Sequence, residues 1–207
     1  MKNQYVGDIG DYGKYSLLRA FTDAGVKVGI NWYLTENDGS NDGKFTDYLK
    51  KDDLRRYNPI VFDTLKTIAF NNNKSVSDIE KSGLLDGAVY YSEILSSKRK
   101  LADREDKRKQ WFENSLDIFK DTELIFMDPD NGLLENYDAS KQGAEKYVLP
   151  QEVETCFKAG HNVVYSAIKE EEKEAFEYTL SFINTPGHIV VFREEAPQDS
   201  GKFLLLS

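Results

Sequence analysis

The chain has 207 residues, 40% of them apolar, and carries 36 acidic against 27 basic side chains for a formal charge of −9. At roughly 150 residues per domain this length predicts one domain with a full core, and the acidic balance excludes an overall field toward nucleic acid or anionic lipid, so any such contact needs a local basic patch. A single cysteine, Cys156, excludes an intrachain disulfide and a thiolate cluster; with no apolar leader pattern and no run near the ~20 apolar residues that cross a bilayer, the expectation is a soluble, cytoplasmic protein with no membrane partner.

In chain order, Asp11 is placed to cap a helix over 12–24, with Tyr15, Leu18 and Phe21 spaced for one face and Gly25 as its stop. Large apolar residues at every second position from Val26 to Leu34 predict a strand. Asn58 and Pro59 open a helix to Ala69, and Ser75 starts a short one ended by Gly83, so the region around 50–85 reads as a helical insertion. A strand over 88–94 and a long polar helix over 98–120 follow, the latter bringing Trp111, Phe112, Leu116 and Phe119 together. "ELIFMD" (123–128) reads as a buried central strand, because the "PDNG" after it cannot extend a ladder. A helix over 150–159, a strand over 162–168, a helix over 170–183 and strands over 188–194 and 202–207 complete the chain. This order predicts an α/β fold, a mostly parallel sheet covered by helices with a C-terminal antiparallel strand pair, within a single domain.

In open α/β sheets ligands sit beyond the carboxyl ends of the parallel strands. Two loops fall there, "TENDGSNDGK" (35–44) and "DPDNGLLEN" (128–136). Asp, Asn and Gly also suit ordinary turns, so the first loop carries a plain turn reading beside the functional one. The segment "VGDIGDYGKY" (6–15) adds glycines that allow close backbone approach, acceptors on Asp8 and Asp11, and Lys14 one turn into the helix.

The strand ending in Asp128-Pro129 resembles motif IV of S-adenosylmethionine-dependent amino-methyltransferases, usually Asp/Asn-Pro-Pro-Tyr/Phe, and Gly7, Asp8, Gly10, Asp11 and Lys14 resemble the N-terminal segment of bacterial 23S rRNA adenine-N6 methyltransferases. The order of elements is also similar to that of three-Cys-motif partner proteins. The resemblance implies a Rossmann-like, methyltransferase-like sheet and S-adenosylmethionine as cofactor. It further implies Asp128, Pro129, Asp130, Asn131 and Lys14 as catalytic, and Gly7, Asp8, Gly10, Asp11, Glu36 and Asp38 as cofactor-binding residues. Two departures stand out. Asp130 and Asn131 replace the second proline and the aromatic that stacks on a base, and Leu34-Thr35-Glu36 replaces the acidic residue and Gly-x-Gly turn after the first strand.

Other chemistries compete. Asp8, Asp11, Asp38, Asp42, Asp128, Asp130 and Glu135 could gather to hold Mg²⁺ or Mn²⁺ for phosphodiester hydrolysis. Packed carboxylates repel, so such a cluster requires a metal or a lysine, with Lys14 and Lys44 as candidates. Leu49 where a bidentate glutamate is needed, and a strand rather than a helix before the loop, count against a calcium hand over 38–49. The run "KRKLADREDKRK" (98–109) offers a phosphate-contacting arm for nucleic acid, although mixed signs at helical spacing also describe a solvated face. His161 and His188 have no ligand spacing, and Cys156 reads as a buried thiol. A third reading is a catalytically inactive domain retained for binding, its Tyr, Phe and Trp content serving a partner surface.

Overall fold

A computed structural model describes residues 1–40, 45–71, 73–96, 103–134 and 143–167, and 189–192 and 202–206 by backbone strand assignment alone. The first helix, α1 (Ile9–Asp23), ends before Gly25, whose φ of 84° stops it. Its cap is Asp8 rather than the expected Asp11. Asp8 has extended backbone and its carboxylate accepts the Gly10 N–H at 3.0 Å, whereas Asp11 already lies inside the first turn and accepts the Gly7 N–H at 2.8 Å.

Strand β1 (Val28–Asn31) is shorter than its alternating pattern. The Asn31 side chain accepts the Tyr33 N–H at 3.1 Å, and Tyr33 takes a positive φ of 43°, so the chain leaves the ladder although Trp32 and Leu34 stay buried. The crossover to β2 (Val89–Tyr91) holds α2 (Pro59–Ala69), capped by Asn58, and α3 (Val76–Lys81), closed by the reciprocal Ser75 and Asp78 bonds of a capping box. Helix α4 (Arg104–Phe119), strand β3 (Leu124–Met127), helix α5 (Pro150–Lys158) and strand β4 (Asn162–Ala167) follow. The expected helix over 170–183, residues 98–102 of the long polar helix and His188 lie outside the described residues. The C-terminal antiparallel pair expected at 188–194 and 202–207 is not shown, since most of 168–207 lies outside them too.

The fold is α/β, with four parallel strands in the order β2-β1-β3-β4 flanked by helices, as in a Rossmann-like sheet. Alternate residues divide the core. Val28, Ile30, Leu124, Phe126 and Val164 join α1, α2 and α3 on one face, while Ile125, Met127, Val163 and Tyr165 join α4 and α5 on the other. No helix among the described residues is long and apolar enough to cross a membrane.

Chain order reverses between β1 and β3: β1 sends the chain outward to β2, and the chain returns on β1's other side. At such a switch point the strand ends diverge and leave a crevice. Helix α4 approaches β1 closely because Gly29 faces it. A Cβ built there would meet Phe119 Cδ1 at 2.7 Å. Gly29→Ala is therefore expected to lower stability by about 1–3 kcal/mol through overpacking, read as a lower urea midpoint with unchanged slope.

Candidate functional site

The crevice beyond β1 and β3 is filled by the chain's own first residues. The Met1 nitrogen donates to the Tyr33 carbonyl at 3.2 Å and the Asp128 carbonyl at 2.8 Å, and lies 2.9 Å from Asp130 Oδ1. The Thr35 N–H donates to the Met1 carbonyl at 2.9 Å, and its hydroxyl to Asp130 Oδ2 at 3.1 Å. Lys2 Nζ reaches Asp38 Oδ2 at 2.6 Å, the Tyr5 hydroxyl at 2.7 Å and Asp130 Oδ2 at 3.6 Å. Burial opposes the Lys2 charge, but Asp38, Tyr5 and Asp130 outweigh it and hold the ammonium above the usual lysine range. The Lys2 bond in turn holds Asp38 below the usual carboxylate range.

In the second turn of α1, Lys14 sits between two carboxylates, 2.6 Å from Asp11 Oδ1 and 2.7 Å from Asp128 Oδ2. All three residues are buried. The rings of Tyr15 and Trp32 flank the ammonium at 4.9 and 5.9 Å. Burial again opposes the lysine's charge and the two carboxylates overcome it, so its pKa is raised and it stays protonated at neutral pH. Lys14 thus acts as a donor and counter-charge, not as a base. Asp11 moves the other way for its class, pushed up by burial against the pull of Lys14.

Lys14 and Asp11 meet the Asp128 carboxylate while Lys2 ties Asp38 to Asp130, so the two charged groups join at the 128–130 loop, with Pro129 buried between its two aspartates. Other candidates serve elsewhere. Asn131 donates its N–H to the Lys146 carbonyl, Glu36 accepts from the Ser96 hydroxyl, and Asp8 caps α1 while accepting the Phe45 N–H. Gly7 has a φ of 88°, and a Cβ there would come within 2.6 Å of Ala69 Cβ, so its missing side chain lets the segment press on α2. Gly10 is an ordinary first-turn residue whose N–H meets the Asp8 cap. Asp42, Lys44 and Glu135 lie outside the described residues. Among the described residues no three His, Cys, Asp or Glu side chains converge as a metal-holding group. Cys156 is buried and its thiol is pushed up to about 12 by that burial, and buried His161 meets the Thr122 carbonyl through Nδ1.

Sequence reasoning missed three participants. Lys2 carries no motif. Tyr33 looked like one more strand residue, yet it holds a left-handed backbone of the kind that clusters at functional sites. Arg108 lay within the supposed phosphate arm, but it is buried and paired bidentately with Glu152 of α5 at 2.8 Å for both bonds. It also donates to the Ala144 and Tyr147 carbonyls, while Glu152 accepts from the Tyr33 hydroxyl at 3.0 Å. This network fixes the 143–149 turn, which bonds back to Gly132 and Leu134 of the Asp128 loop.

No protein-family model and no curated protein sequence matches the chain.

Replacing Lys14 leaves two buried carboxylates without their cation. Lys14→Met is expected to destabilise by ~3–5 kcal/mol. A lysine with a raised folded pKa stabilises fully below its unfolded value and loses that contribution as pH rises above about 10.4. The difference in unfolding free energy between wild type and Lys14→Met should therefore shrink above that pH, measured by urea titration from pH 7 to 11.

Proposed function

We propose that the chain is an S-adenosylmethionine-binding, methyltransferase-like domain whose ligand enters the crevice beyond β1 and β3. The observation that carries this reading is the Asp128-Pro129 turn at the mouth of the switch point, tied to α1 through Lys14 at 2.7 Å. It agrees with the resemblance of both segments to amino-methyltransferases. Ligands of open parallel sheets bind at this place for a geometric reason, since diverging loops leave backbone acceptors and donors unpaired by the sheet.

The residues present suit the cofactor at one end. The Tyr33 and Asp128 carbonyls, which already accept from an amino nitrogen, would hold its ammonium group, and Asp38 would accept from ribose hydroxyls. At the other end the fit departs from the family. No glycine turn follows β1, and fully buried Trp32 stacks on Tyr90 at 6.0 Å where a glycine turn would leave room. When bound, the cofactor supplies an electrophilic methyl group. The chain's own part is to exclude water from the crevice and to hold the Asp128 carboxylate oriented through Lys14.

A second reading, a binding domain without catalysis, is favoured by one observation: the Asp128 carboxylate that would accept from a target amine is engaged by Lys14. Action on nucleic acid is the finer form of the first reading. It calls for base recognition without the aromatic that Asn131 replaces, and for contacts from the part of 98–109 that does not include buried Arg108.

Thermal shift and calorimetric titration with S-adenosylmethionine, S-adenosylhomocysteine and Mg²⁺ decide among these. A nucleoside at one hundred times its Kd should add about 2.7 kcal/mol of stability, and Asp130→Asn should weaken that response. A shift with Mg²⁺ alone would transfer the reading to a metal-dependent hydrolase, and silence toward nucleoside and metal alike would overturn both enzymatic readings.

A further inference from the structure

We propose that Asp38, Asp130 and Tyr5 form a seat for a primary alkylammonium group, filled in the resting chain by Lys2 and taken over by the ammonium of a second ligand in the crevice. The seat is built from three kinds of wall. Asp38 approaches the Lys2 ammonium at 2.6 Å, Asp130 at 3.6 Å, and the Tyr5 hydroxyl at 2.7 Å. The Tyr5 ring lies beside the same nitrogen, 4.8 Å from its centroid, where a cation meets the negative face of an aromatic. Hydrogen-bond acceptors, anionic charge and a ring together select an ammonium carrying N–H bonds over a quaternary cation.

The seat also has a way in. The Lys2 and Asp130 side chains are 3% and 4% exposed, while that of Asp38 is 40% exposed, so the seat is closed at its base and open at its Asp38 rim. It lies at the switch-point crevice, where a soluble ligand is expected on topological grounds alone. The residue now filling it belongs to a short strap. Polar contacts hold that strap on the loop after β1: Gln4 bonds to Asn37, Asp38 and Ser40, and Thr35 bonds to Met1. Gly7, in the left-handed region at φ 88°, joins the strap to α1. Lys2 is therefore an internal occupant on a tether, held by groups that an incoming alkylammonium satisfies equally well. The strap and the ligand compete for one set of acceptors, and the ligand's apparent affinity falls by the fraction of time the strap is seated.

The seat shares Asp38 and Asp130 with the surroundings of the proposed nucleoside cofactor, but not that cofactor's ammonium acceptors, the Tyr33 and Asp128 carbonyls. The ligand class is an aliphatic chain ending in –NH3⁺, whether free polyamine or peptide lysine.

The test is occupancy of an emptied seat. Lys2→Ala removes the internal ammonium, and n-butylammonium chloride is titrated against the variant by thermal shift at constant ionic strength. A saturable rise in Tm on the order of 2 °C is expected. The wild type, whose seat is filled, should reach that rise only at higher butylammonium concentration, and Lys2→Ala/Asp130→Asn should not show it. Tetramethylammonium and sodium chloride should be inert. Spermidine and Nα-acetyl-lysine amide then distinguish the two sources of the group by which of them saturates at lower concentration.

Lys2→Met keeps the alkyl packing while leaving space for NH4⁺, so ammonium chloride should raise its Tm above sodium chloride. If Lys2→Ala is unfolded, refolding on addition of butylammonium supports the seat, and failure to refold together with no ammonium effect on Lys2→Met overturns it. Equal responses of wild type and variant, or a response to tetramethylammonium, also overturn it. Amine binding to Lys2→Ala by a chain that ignores nucleosides leaves the seat intact and removes only the cofactor reading. Nucleoside binding without an amine response does the reverse.

Discussion

The buried contact between Lys14 and Asp128 is the constraint on which the rest of the site depends. It joins the first helix to the end of the central strand across 114 positions of sequence, and it sets where the strap before α1 crosses the crevice. Its net energy is not its main consequence, because desolvation of buried ions offsets most of their attraction. Direction matters more. Each carboxylate of the triad has a partner at hydrogen-bond distance, so Asp11 faces Gly7 and Lys14 together, and Asp128 cannot turn away without leaving a charge unpaired.

The second consequence concerns the state of the crevice. A chain that places its own amino and ammonium groups on Asp130, Asp38 and two loop carbonyls covers these acceptors with its own cations. These acceptors are grouped and anionic, buried at Asp130 and open at the half-exposed Asp38. The Arg108 and Glu152 pair supports this arrangement from behind, holding both Tyr33 and the turn that bonds back to the Asp128 loop.

Much of the four-stranded unit was legible in the sequence, for physical reasons. Asn58-Pro59 specifies a helix start by local hydrogen bonding and a fixed φ, and the uninterrupted run before Asp128 can only be buried on both faces. Local rules could not separate Asp8 from Asp11 as the cap, since either side chain can reach a free N–H; the Gly7 and Lys14 contacts that decide it come from packing. The end of β1 was hidden in the same way, because Trp32 and Leu34 continue the alternation after the ladder stops. Arg108 was misread since burial of one residue in a charged run leaves no mark on composition, and its partner Glu152 is 44 positions away. Lys2 gave no signal at all. Its meaning lies wholly in which loops the topology brings around it.

The direct measure of the central contact is a double-mutant cycle on Lys14→Met and Asp128→Asn, read by equilibrium urea unfolding of the two single variants, the double variant and the wild type. A coupling free energy of about 2 kcal/mol or more is predicted for two buried groups in direct contact. Additivity within ~0.5 kcal/mol would show that the helix and the central strand are not joined at this point, and the crevice would lose the contact that organises it.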